Sequence, residues 1–204
     1  MNFVLKVGRS SVISKNDIVK VKINQWYFNV AEFMAKQAEI GGVSRIFSNK
    51  KERLERQKTD SLVGQLGTLA GNKLFSGGIE GYVQSRYMQN KFPRIGDGGE
   101  DIVGSNVDFK VSLWRYDHMT ALDYHLLVRP RERHGAQIYV HGLIKPWEGE
   151  DFPKEVIFTG WATDSDLPTE TEKSGALEGA YAIKAENLKP IPPIRWKWFT
   201  ESNK

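Results

Sequence analysis

The chain of 204 residues contains no cysteine. That excludes a disulfide framework, a thiolate metal site and a cysteine nucleophile. No apolar run approaches the ~18 residues that a membrane span needs. The first residues, "MNFVLKVGRSSVISKND", lack the apolar centre of a signal peptide. A cytoplasmic protein with no membrane partner is the expectation. No serine sits in a nucleophile-elbow context, and "GGIEGYVQSR" lacks the Gly-Lys-Ser/Thr of a phosphate-binding loop.

What is present is ordinary for a globular chain: 40% hydrophobic and 26% charged residues, enough for one domain with a sizeable core. The net charge of +4 is unevenly spread. Residues 1–60 carry 12 Lys/Arg and 6 Asp/Glu, a net of +6, which leaves a net of −2 for the rest. A basic arm on a mildly acidic body suits a polyanion, although a solvated charged helix accounts for the arm equally well.

Along the chain, "DIVKVKI" alternates as a strand does, and "QWYFNVAEFMAKQAEI" has the spacing of a helix stopped by Gly41–Gly42. The charged "SNKKERLERQKTD" follows, read as a helical or partly mobile segment able to lie along a duplex or against a second subunit. Asp60 then reads as the N-cap of a helix whose apolar stripe is Leu62, Val63, Leu66, Leu69 and Ala70. Gln65, Thr68 and Asn72 lie off that stripe and can face a cleft. "FSGGIEGYVQSRYMQNKFP" reads as a glycine-broken loop with a short helix. Beyond it the period shortens. "VDFKVSL", "DYHLLVR", "AQIYVHGLI", "EVIFTGWA" and "AYAIKA" read as strands of a mostly antiparallel sheet. Helices before strands imply an α/β or α+β domain.

The stretch "GDGGEDIVGSNVDFKVSLW" holds the densest chemistry. In "VDFKVSL" the residues Val107, Phe109, Val111 and Leu113 share one face, and Asp108, Lys110 and Ser112 the other. Asp108 and Lys110 therefore stand side by side, roughly 7 Å apart at ~3.3 Å per residue. A two-residue turn at Gly104–Ser105 would pair Ile102 with Val107 and set Asp101 against Asp108. A three-residue turn would send Asp101 to the opposite face. Like charges directly opposite repel, and a hard divalent cation such as Mg²⁺ would relieve them. Asp97 and Glu100 are near enough to act as outer carboxylates, or simply to cap the turn.

Those residues resemble the core of the PD-(D/E)xK nuclease superfamily. Asp101 matches its first aspartate, and Asp108 with Lys110 its acid-x-Lys triplet; Glu100 stands where a proline is usual. "DSLVGQLGTLAGNKLF" looks like the family's first core helix, with Gln65 or Thr68 in place of its frequent glutamate. The resemblance spans roughly residues 60–190. It implies a restriction-endonuclease-like fold, a central mixed sheet flanked by helices, preceded by a basic, mostly helical extension at 1–59 and followed by a tail at 191–204. It implies a DNA endonuclease dependent on Mg²⁺, with Mn²⁺ as a substitute. Asp101, Asp108 and the carbonyl of Phe109 would hold the metal, Lys110 would orient the attacking water, and Gln65 would stand in for the helix glutamate. Cutting both strands favours a homodimer. The alternative is a non-catalytic nucleic-acid-binding protein that keeps the fold.

Other features carry less. His118, His125, His134 and His141 fall in two pairs seven apart, a spacing that brings no two imidazoles to one face by itself. "RPRERH" offers Arg129, Arg131 and Arg133 as phosphate contacts bordering the sheet, or a solvated turn. "IRWKWF" interleaves Arg195 and Lys197 with aromatics, a stacking platform for DNA or an aromatic face packed on the core.

Overall fold

The structure is a computed structural model. It describes residues 13–40, 50–76, 78–83, 101–102, 106–133, 138–147 and 149–191, and only the backbone of 37–40, 50–58, 76 and 176.

Strand β1 (Val19–Lys22) leads into helix α1 (Gln25–Ile40), whose N-terminus is closed by the Asn24 side chain accepting the N–H of Tyr27 at 2.8 Å. Helix α2 spans Lys50–Ser76 and runs unbroken through Asp60. The N-cap reading of Asp60 is therefore wrong. Lys, Glu, Arg and Gln are all good helix formers, so the charged segment before Asp60 continues the helix. Strands β2 (Val107–Leu113), β3 (His125–Val128), β4 (Ile138–Ile144), β5 (Glu155–Thr163) and β6 (Tyr181–Lys184) come next, each within a segment whose alternation marks it as a strand.

The main sheet has the order β1-β5-β4-β2, and β3 pairs with β6 in a separate two-stranded sheet. β1, β5 and β4 pair antiparallel, but β2 lies parallel to β4, with Asp108 beside Tyr139 and Lys110 beside His141. The chain is thus mixed α/β with a mixed four-stranded sheet, less antiparallel than its sequence implies. Parallel neighbours must be joined by a long crossover, and here β3 and its flanking turns form it.

One face of the sheet meets the helices. Phe109, Val140, Phe158 and Trp161 pack there with Val63, Leu66 and Ala70 of α2 and Ala31 of α1. The approach is close because α2 presents glycine to β2: a Cβ on Gly67 would collide with Val111, and one on Gly71 with the Phe109 ring. On the other face Tyr139 and Ala162 bury against Leu126 and Val128 of β3. The alternation of β2 therefore turns Phe109 to the helices and leaves Asp108 and Lys110 to the other side.

Candidate active site

β2 forms the margin of the main sheet, and the chain just before it closes part of that margin. Ile102 bridges antiparallel to Val107, the pairing that a two-residue turn requires; Gly104 and Ser105 themselves lie outside the described residues. Asn106 takes φ 54°, a left-handed conformation that asparagine tolerates, as it enters β2.

The carboxylate of Asp101 is tightly held. Its Oδ2 accepts the backbone N–H of Phe109 at 2.8 Å, and its Oδ1 accepts the Thr68 hydroxyl at 3.0 Å. Its backbone carbonyl accepts the Asn72 amide at 3.1 Å. Thr68 and Asn72 are buried on the side of α2 that the sequence leaves polar, so that side faces a carboxylate rather than open water. Gln65 behaves differently: its Oε1 accepts the Tyr82 hydroxyl at 2.8 Å. It is held towards Tyr82.

Asp108 is 8% exposed. Burial pushes its carboxyl up to about 7, and the neighbouring charges of Asp101 and Glu132 add to the rise while Lys110 opposes it. The Lys110 ammonium sits 2.7 Å from Asp108 Oδ2 and 3.2 Å from Glu132 Oε2. Burial works against that ammonium, but the two carboxylates outweigh it and hold it above its ordinary value. Lys110 is therefore charged at neutral pH, while burial favours the neutral form of Asp108.

Glu132 is absent from the residues that the sequence singles out. It ends a 3-10 turn, Pro130–Glu132, and its carboxylate reaches back to the N–H of Arg129 at 3.3 Å. Burial raises its carboxyl, yet Lys110 and that N–H bring it below the usual range. A signal is present in "RPRERH": proline at the first turn position with glutamate two residues on is capping chemistry. The surrounding arginines obscure it.

Arg129 and Arg131 are more than half exposed and lie 3.7 and 4.0 Å from Glu132, so both stand at the margin of the site. Arg133 is committed elsewhere, with Nε 2.7 Å from Asp164 Oδ1 and its guanidinium over the Tyr181 ring. Asp97, Glu100, His134, Arg195 and Lys197 lie outside the described residues. Among the described residues no three His, Asp or Glu side chains are grouped to hold a metal ion.

Beside Lys110 lies a cavity of about 390 Å³, bordered by Ser112, His125, Arg129, Glu132 and His141. Two of the four histidines thus come together here, brought by the packing of β3 on β4 rather than by their spacing in the chain. Against known proteins, the chain matches no protein-family model, no curated protein and no solved structure.

Proposed function

We propose that the chain is a metal-dependent nuclease of the PD-(D/E)xK type, hydrolysing phosphodiester bonds in DNA. The observation that carries this reading is the meeting of Asp101, Asp108 and Lys110. Asp108 is buried beside a second carboxylate, with its pKa raised to about 7.

The residues fit a hard cation. Both acids are oxygen donors, as Mg²⁺ prefers, and the raised Asp108 carboxyl gains more from a nearby positive charge than an ordinary surface carboxylate does. Asp101, Asp108 and the Phe109 carbonyl would hold the ion. When bound, it would supply a water of lowered pKa and neutralise charge on the phosphate. Thr68 and the Phe109 N–H fix Asp101 in place. Lys110, steadied by Glu132, presents a cation to the anionic transition state and orients the water. Arg129 and Arg131 would meet the flanking phosphates.

The test is cleavage of plasmid and linear DNA with Mg²⁺, Mn²⁺ or EDTA, comparing wild type with Asp108→Ala and Lys110→Ala. We expect metal-dependent cutting that falls by at least about 10²-fold in either variant. Equal cutting by all three proteins would sink the assignment.

A second reading, a nucleic-acid-binding protein without catalysis, draws on the tight hold on Asp101 and the turning of Gln65 to Tyr82. Calorimetric Mg²⁺ titration separates the two. Binding that disappears in Asp108→Ala favours the enzyme, whereas intact DNA affinity without metal binding favours the binding protein.

A further inference from the structure

His141 is the most deeply placed histidine among the described residues, 1% exposed at the centre of β4. Opposite it, β5 carries a bulge: His141 pairs with Gly160 and Gly142 with Phe158, so Thr159 is the extra residue. Bulges re-aim side chains, and this one brings Thr159 Oγ1 within 2.7 Å of His141 Nδ1. The other ring nitrogen, Nε2, is buried and has no hydrogen-bond partner among the described residues. Burial, with His125 nearby, drives the ring down to about 3, so it is neutral. Native proteins keep few such unpaired atoms. His141 borders the cavity beside Lys110.

We propose that this cavity receives one nucleobase of the substrate strand, drawn out of its stack beside the phosphate that Lys110 faces. The proposal rests on the nuclease reading. The walls alternate in the way a base requires. Leu127, Leu177 and Ala180 offer apolar surface for a ring, while Ser112 and Glu178 offer polar groups for its edge. Lys110 and Arg129 stand on the same border, among the acids Asp60, Glu132 and Glu178, and are the groups an adjoining phosphate would meet. At about 390 Å³ the space lies at the small end of ligand pockets and cannot take a duplex. A base reaches it only from a single strand or by leaving the stack.

The experiment uses the whole chain in EDTA, where no cutting occurs. Wild type is titrated calorimetrically with dAMP, dGMP, dCMP and dTMP, and a strand carrying 2-aminopurine is followed by fluorescence. Ser112→Phe fills the cavity from an exposed position; Glu178→Trp, also exposed, replaces it should circular dichroism show that the first does not fold. We expect at least one mononucleotide to bind wild type and to lose affinity by about tenfold or more in the filled variant. The 2-aminopurine strand is expected to brighten with wild type alone. The proposal is overturned if no mononucleotide binds wild type at millimolar concentration, if the filled variant binds equally, or if the strand stays dark. Cutting of DNA by a wild type that fails these titrations removes the cavity proposal and leaves the nuclease reading intact. Binding without metal-dependent cutting does the reverse.

Discussion

Asp108 is under two opposed demands. Folding buries it beside another carboxylate, which disfavours its charge, while the proposed metal binding needs the charged form. Its folded-state pKa, about 7, lies above the ordinary 3.8, so the native state holds this proton more tightly than the unfolded chain does. The stabilisation it brings is complete below about pH 4 and is lost as pH rises through 7. At about 1.4 kcal/mol per unit, the upper bound for this one group is about 4 kcal/mol. Asp108→Asn removes the titration. Urea unfolding in EDTA should show the variant gaining about 2–3 kcal/mol relative to wild type between pH 5 and pH 8. Parallel stability curves would mean that Asp108 titrates normally. Sequence is informative at this scale where residues are neighbours in the chain: the Ile102–Val107 pairing and the shared face of Asp108 and Lys110 come from turn chemistry and alternation. His141 joins the site through the β2–β4 pairing, which brings together segments about thirty residues apart, and Glu132 through the turn after β3. No local pattern specifies that pairing.

Among the elements, α2 sets the position of the site. Its glycines at 67 and 71 lie four apart and face β2, letting the helix backbone approach Val111 and Phe109. Phe109 in turn stands between Asp108 and Lys110, so displacing its ring shifts both. Gly71→Ala should cost about 1–3 kcal/mol through overpacking. Gly64, on the same helix, has open space where its Cβ would be. Gly64→Ala should therefore stabilise by about 0.5–1 kcal/mol. Thermal unfolding of the two variants checks the contrast, and opposite signs are the expected result. Helix α1 is legible from its period alone. The start of α2 is not, because an aspartate before an apolar stripe has the chemistry of a cap, and only the helix-forming residues upstream reveal that the turn is already formed.

For the molecule as a whole, the described residues before position 60 belong to the same body as the sheet. β1 completes the far margin of the main sheet against β5, and Val21, Ile23 and Ala31 enter its core. The sheet thus has two margins, β1 and β2, on opposite sides. Along the β2 margin, the Asp101 carboxylate accepts the Phe109 N–H that a further strand would otherwise take. An aspartate side chain here stands in for a piece of backbone. Removing it does more than silence a metal ligand, because it bares a hydrogen-bond donor on a marginal strand, the kind of feature through which chains associate. Asp101→Ala should self-associate at concentrations where Asp108→Ala stays monomeric, as light scattering would show. Equal scattering from both would mean that this margin needs no guard. The acid proposed as a metal ligand would then also keep copies of the protein apart.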